Sequence, residues 1–202
     1  MNLKETYNKI AEEWHQDHQQ DDWWVEGTDA FVSLLRSGSS VLDVGCGAGT
    51  KSKYLTSKGL NVTGVDFSEK MIEIAKREVA EAKFQVLDLA DVHTLSESFD
   101  GIFMQAVLLH VPKAEAQKQI AQIATRLKDA GYFYVAVKEK WADSPEEEIK
   151  TEDDYGYPYQ RFFSYFSLDE IKQYLTESGL KVVYENVSPA GKTNWIQVIA
   201  QK

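Results

Sequence analysis

The stretch Val41-Leu-Asp-Val-Gly-Cys-Gly-Ala-Gly-Thr50 constrains this chain more than any other. An apolar run ends in an acid, and glycines then occupy alternate positions, Gly45, Gly47 and Gly49. Glycine lets a backbone turn sharply and lie against a ligand that a Cβ would hold away. A buried strand feeding such a loop, with a helix behind it, marks a nucleotide-type site at the carboxyl edge of an α/β sheet. The dinucleotide fingerprint needs its third glycine one residue later, and the phosphate loop needs a closing Gly-Lys-Ser/Thr. The sequence has neither.

The rest of the chain alternates in the way such a sheet requires. Strands are expected at Ser39–Val44, Asn61–Phe67, Lys83–Leu87, Phe99–Ala106 and Tyr132–Val137. Between them lie Thr50–Ser57, a helix capped by Ser68 with its stripe at Met71, Ile72, Ile74, Ala75 and Val79, and a helix opened by Pro112. Repeated strand–helix units imply a mainly parallel sheet with right-handed crossovers. The tail changes character. A helix over Leu168–Glu177, capped by Ser167, precedes strands at Lys181–Val187 and Trp195–Ala200 joined by Ser-Pro-Ala-Gly, which should pair antiparallel. The whole of 1–202 reads as one domain, with residues 1–38 a helical cap and 139–166 a lid insert over the cleft.

Bulk properties exclude several classes. No apolar run approaches the roughly 20 residues that cross a bilayer. The polar start, Met-Asn-Leu-Lys-Glu-Thr-Tyr, is unlike a signal peptide. Cys46 is the single cysteine, so no internal disulfide is available, and a cytoplasmic location without a membrane partner is expected. With 32 acids against 22 bases the net charge is −10, and no basic cluster is visible, which disfavours a nucleic-acid partner. His15 and His18 share a helical face, but no third ligand stands at suitable spacing, so no metal is expected.

Asp43-x-Gly-x-Gly-x-Gly resembles the first motif of the class I, Rossmann-like methyltransferases that use S-adenosylmethionine, and the chain is similar to small bacterial single-domain members. The resemblance is specific over residues 39–110 and weaker over 131–180. It implies a seven-stranded sheet of order 3-2-1-4-5-7-6 with the last strand antiparallel. It also implies S-adenosylmethionine as cofactor and S-adenosylhomocysteine as product. Gly45, Cys46, Gly47 and Gly49 would then form the loop around the methionine part, and Asp43 would orient the loop or reach the ammonium. Asp66, ending the second strand, would accept the ribose hydroxyls, with Phe67 stacking on adenine. Asp88 would accept the adenine amino group, and Leu89 would offer it a backbone amide. Gln105 and Ala106 would line the sulfonium side. Three acids ending three successive strands, Asp43, Asp66 and Asp88, form the strongest combination.

His110, in Leu109-His110, is either a general base or a loop-bonding residue, and the bonding role is preferred. Between Tyr155 and Phe166 stand seven aromatics; about half would pack the lid, leaving Tyr157 and Tyr159, with Arg161, to line a substrate pocket closed by Tyr7, Trp14, Trp23 and Trp24. The chain lacks the Asn/Asp-Pro-Pro-Tyr/Phe motif of the amino-methylating nucleic-acid enzymes, with Gln105-Ala-Val-Leu in its place. The expectation is therefore a monomeric or homodimeric methyltransferase that moves a methyl group by in-line displacement to a small molecule. The alternatives are a non-catalytic S-adenosylmethionine-binding protein of the same fold, a metalloid (tellurite-type) methyltransferase, and a nucleotide-sugar or NAD enzyme on a similar sheet.

Overall fold

The structure, a computed structural model, describes residues 2–202. Two helices come first, α1 (Leu3–Asp17) and α2 (Val25–Ser33). The Asn2 side chain caps α1 by accepting from the Glu5 amide at 3.3 Å. The alternating core follows: β1 (Ser40–Val44), α3 (Thr50–Ser57), β2 (Asn61–Asp66), α4 (Glu69–Glu78), β3 (Lys83–Val86), β4 (Phe99–Gln105), α5 (Lys113–Ala124) and β5 (Leu127–Lys138). A separate two-stranded ribbon, β6 (Glu147–Glu152) and β7 (Tyr159–Ser164), interrupts the chain before α6 (Leu168–Glu177), β8 (Lys181–Ala190) and β9 (Thr193–Gln201).

The main sheet runs β3-β2-β1-β4-β5-β9-β8. With the ribbon set aside, this is the anticipated 3-2-1-4-5-7-6, and β9 lies antiparallel to both β5 and β8. Helices cover both faces, so the central strands bury both sides and read as nearly unbroken apolar runs. Val41, Leu42, Ile102, Phe103, Met104 and Phe133 to Val137 are all inaccessible. Local signals set the helix starts. The Ser68 hydroxyl accepts from the Met71 amide at 3.2 Å, and Ser167 forms a reciprocal capping box with Glu170.

Three boundaries differ from expectation. The fifth strand does not start after Gly131 but at Leu127. Its register jumps between Phe99↔Leu127 and Gly101↔Tyr132, so the extra residues bulge outward, with Ala130 at φ +61°. Ser188-Pro189-Ala190 is not a loop but the end of β8, leaving Gly191-Lys192 as the turn. Pro189 is tolerated because β8 is an edge strand. The insert 139–166 holds β6 and β7, which hydrophobic alternation could not reveal. Ile149, the apolar residue of β6, is 56% exposed, and the ribbon is held instead by backbone pairing and the Arg161–Glu152 ion pair.

The parallel strands deliver Val44, Asp66, Val86, Gln105 and Lys138 to one edge of the sheet. α1 lies over that edge, packing Ala11 with Ala48, Met71 and Ile74, while Tyr7 and Trp14 border this cluster. Gly49 secures the start of α3 against α4. Its φ is +84°, and an added Cβ would stand 3.1 Å from the Ala75 Cβ and 3.2 Å from the Ala75 Cα. Gly49→Ala should therefore destabilise the fold by about 2 kcal/mol, through left-handed strain plus crowding. Urea unfolding measures this, and an unchanged midpoint would contradict the packing role.

Candidate functional site

The carboxyl edge opens into a cavity of about 820 Å³. Its floor comes from the ends of β1, β2, β4 and β5, and its walls from α1, the Asp21–Trp23 loop, β7 and Trp195 of β9. This size suits a drug-sized or larger ligand. Asp43, Asp66 and Asp88 all line it, so the three strand-end acids meet in one place.

Asp66 is the organising group. One of its oxygens accepts from the Gly47 amide at 3.0 Å and the other from the Ser68 amide at 2.8 Å. The carboxylate thus ties the glycine loop to the start of α4. Burial pushes its pKa up to about 6, against the pull of those two amides. A carboxylate has about four acceptor sites, so two remain for a ligand. Gly47, at φ +52°, leaves open space beside it, since an added Cβ would meet nothing nearer than the Trp14 ring at 3.7 Å. A ligand can approach that backbone closely.

Asp43 is 2% exposed and accepts from the Ser52 hydroxyl at 2.6 Å, which fastens α3 to β1. Burial raises it to about 7, opposed by the Ser52 bond and the nearby Lys51 charge. Asp88 is exposed and accepts from the Ala90 amide at 2.9 Å, starting a short 3-10 turn over Leu89–Thr94. Leu89 and Phe67 line the cavity as expected, with Phe67 edge-on to the Tyr7 ring at 5.9 Å. Cys46 also lines it, but the thiol is buried against Ile72, Ala75 and Phe84, and burial raises its pKa, the reverse of an activated nucleophile. Gly49 does not reach the cavity; its place is the α3–α4 contact.

Gln105 is 7% exposed, and neither amide atom of its side chain has a partner among the described residues. A buried polar group without a partner is costly unless a ligand or water satisfies it. Gln105 and Ala106 line the cavity, and Ala106 takes φ +57° as the chain leaves β4.

His110 is fully engaged. Its Nδ1 lies 2.7 Å from the Phe162 carbonyl, and its Nε2 lies 2.7 Å from the Tyr7 hydroxyl. Nδ1 therefore donates, and Nε2 accepts the Tyr7 proton. Burial pulls the imidazole down to about 3, so it is neutral at physiological pH. The histidine thus makes the bonding contacts preferred from the sequence, anchoring β7 and fixing the Tyr7 hydroxyl.

Of the expected pocket residues, Tyr7, Trp14 and Arg161 line the cavity. Tyr157 and Tyr159 do not. Tyr157 packs under the Lys9 ammonium at 3.9 Å and reaches Glu13 at 3.4 Å, covering an outer side of α1. Tyr159 stacks on Tyr155 at 5.5 Å and donates to Asp154 at 2.9 Å. It shares a β7 face with Arg161 and Phe163, but toward the far end of the ribbon. Trp23 lines the cavity as expected, whereas Trp24 does not; Lys51, Lys138, Phe163 and Trp195 also line it and were not anticipated from the sequence. Lys138 had a legible signal, a cation closing a buried strand at the carboxyl edge. The Trp23–Trp195 stack, at 3.9 Å, had none, because its members are so far apart in sequence. Among the described residues no group of three or more His, Cys, Asp or Glu gathers as a metal site. His18 stacks on Trp14 at 4.3 Å, and His15 lies 3.7 Å from Glu78.

Comparison with known proteins places this site in context. Residues 41–131 match the family described as a methyltransferase domain. The ubiquinone biosynthesis O-methyltransferase of Coxiella burnetii is 36% identical over 105 residues, which cover 50% of this chain and 44% of that protein. The chain thus spans less than half the length of that relative. Two solved structures resemble it in fold. The 1,6-didemethyltoxoflavin-N1-methyltransferase of Burkholderia thailandensis, with bound 1,6-didemethyltoxoflavin and S-adenosylhomocysteine, has a TM-score of 0.78 at 20% identity, covering 99% of this chain and 87% of that one. The magnesium protoporphyrin IX methyltransferase of Synechocystis, with bound S-adenosylhomocysteine, has a TM-score of 0.75 at 18% identity, covering 99% and 98%. The matched region begins in the strand that feeds the glycine loop and ends inside β5, so it contains all three acids. Residues 41–131 thus match a methyltransferase domain, and the sheet order is that of the Rossmann-like methyltransferase fold.

Proposed function

We propose that this protein binds S-adenosylmethionine at the carboxyl edge and transfers its methyl group to a small molecule. The observation that carries the reading is Asp66, which holds the open Gly47 backbone while keeping free acceptor sites inside the cavity. The residues fit the cofactor's parts. Asp66 would take the ribose hydroxyls, and Asp88, the Leu89 amide and Phe67 the adenine end. Gly45, Cys46 and Gly47 would surround the methionine part. Lys51, buried near Asp21 and Asp43, would face its carboxylate. The unpartnered Gln105 amide would gain a partner. When bound, S-adenosylmethionine supplies a methyl group on a positively charged sulfur, which departs as a neutral thioether and needs no acid.

The chain's own contribution is alignment and exclusion of water. Holding two reactants in near-attack geometry contributes roughly 7–11 kcal/mol. Tyr7, Trp14, Phe163, Trp23 and Trp195 wall the cavity with aromatic faces, which suit both a cationic sulfur and an apolar ring. The Tyr7 hydroxyl is spent donating to His110, so its oxygen presents lone pairs, and Arg161 lies 3.5 Å from it. An acceptor hydroxyl can donate to that oxygen and be oriented there. The Coxiella relative is named an O-methyltransferase, which favours oxygen as the accepting atom. A cytoplasmic, single-domain enzyme working without nucleic acid, as monomer or homodimer, remains part of this reading.

Asp66→Ala should weaken S-adenosylhomocysteine binding at least about tenfold, the usual cost of losing hydrogen bonds to a charged acceptor. Calorimetry measures this, and unchanged affinity would remove the ribose assignment. The same group makes binding pH-dependent. Its carboxylate form, which accepts the ribose hydroxyls, is lost as pH falls through about 6. S-adenosylhomocysteine affinity should therefore fall about tenfold between pH 7.5 and pH 5, and Asp66→Asn should flatten that slope. A pH-independent wild-type affinity would contradict this. Release of S-adenosylhomocysteine in the presence of candidate acceptors separates an enzyme from a non-catalytic binder, and titration with NAD separates both from a dehydrogenase.

A further inference from the structure

The cavity is electrically polarised. Its β1–β3 side carries Asp43, Asp66 and Asp88, whereas its β5–β7 side carries Lys138 and Arg161. Three cations cluster on that second side, and two are matched. Arg161 holds Glu152, with both contacts at 2.6 Å, and Lys150 lies 3.3 Å from Glu148. The ammonium of Lys138, the last residue of β5, makes no ion pair or hydrogen bond among the described residues. Its ammonium instead faces aromatic rings, 4.3 Å from the Phe163 centroid and 5.8 Å from that of Trp195. Burial, ahead of the neighbouring Arg161 and Lys150 charges, pulls it down to about 8. An unmatched, half-buried ammonium beside two other cations is costly, and a bound anion would relieve it.

Two stacked indoles stand beside Lys138. Trp195 pairs with Lys138 across β5 and β9, and Trp23 stacks on Trp195 with the planes 13° apart. Both indoles line the cavity. Stacked indoles present a planar apolar face, the complement of an aromatic ring. Resting on the methyltransferase reading above, we propose that the methyl acceptor is an aromatic acid, a planar ring with one negative charge, its carboxylate held by Lys138 and its ring laid against the Trp23–Trp195 pair. Lys51, the other cavity cation without an ion pair among the described residues, stands near Asp21 and Asp43 and is given to the cofactor, so Lys138 accounts for one negative charge on the acceptor. The Tyr7 oxygen, beside Arg161, then orients the hydroxyl to be methylated.

Calorimetry on the protein loaded with S-adenosylhomocysteine tests this with a matched pair of probes, 3,4-dihydroxybenzoate and its uncharged amide. The wild type should bind the carboxylate at least about tenfold more tightly than the amide, as a charge-assisted contact requires. Lys138→Met should abolish that preference, and Lys138→Arg, which keeps the charge, should retain it. S-adenosylhomocysteine affinity should stay within about twofold in both variants, because the lysine belongs to the acceptor. Equal affinity for the two probes, or binding of neither at millimolar concentration, overturns the proposal. So does a Lys138→Met variant that loses S-adenosylhomocysteine, since the lysine would then serve the cofactor. Failure of the wild type to bind S-adenosylhomocysteine sinks the methyltransferase reading instead, and the two probes titrated into ligand-free protein still decide whether Lys138 selects a carboxylate.

Discussion

The bond from the Gly47 amide to the Asp66 carboxylate is the constraint on which the site depends. It joins the loop after β1 to the end of β2, beside the Cys46 amide bond to the Val65 carbonyl, where the parallel ladder of the two strands gives out. A charged acceptor in a buried place is normally a liability. Here the Gly47 and Ser68 amides supply fixed dipoles, and the remaining lone pairs open onto the cavity. The same carboxylate therefore shapes the loop and faces whatever the loop holds.

A second constraint works from the opposite wall. His110 is locked between the Phe162 carbonyl and the Tyr7 hydroxyl, so α1, the turn after β4 and β7 close on one another through a single imidazole. Because burial keeps the ring neutral, the contact is a relay of hydrogen bonds and carries no net charge. The cation–aromatic wall of Lys138, Arg161, Phe163 and Trp195 is thereby held opposite the acids. A cleft with acids at one end and an unmatched cation at the other has a built-in direction for a ligand.

Much of this was legible in the sequence for definite physical reasons. The parallel core was readable because strands buried on both faces leave unbroken apolar runs, and because Gly45, Gly47 and Gly49 admit few other structures. The cap at Ser68 and the capping box at Ser167 were readable from their own side-chain chemistry. The ribbon was not, because β6 shows no buried face and depends on pairing with β7 and on the Arg161–Glu152 ion pair between the two strands. The misplacement of Tyr157 and Tyr159 has the same origin. An aromatic-rich run says that rings will be buried, but whether they meet α1, one another or the cavity depends on where the ribbon docks. Lys138 and Trp195 likewise come together through the β5–β9 pairing, and Trp23 reaches them from the loop before α2.

A crystal structure of the protein grown with S-adenosylhomocysteine tests the central claim most directly. The expected electron density lies along the carboxyl edge, with the ribose hydroxyls on Asp66, the adenine end at Asp88 and Leu89, and the sulfur pointing toward Tyr7 and Lys138. Density for the ligand elsewhere, or a ribose that leaves Asp66 bonded only to Gly47 and Ser68, would contradict it.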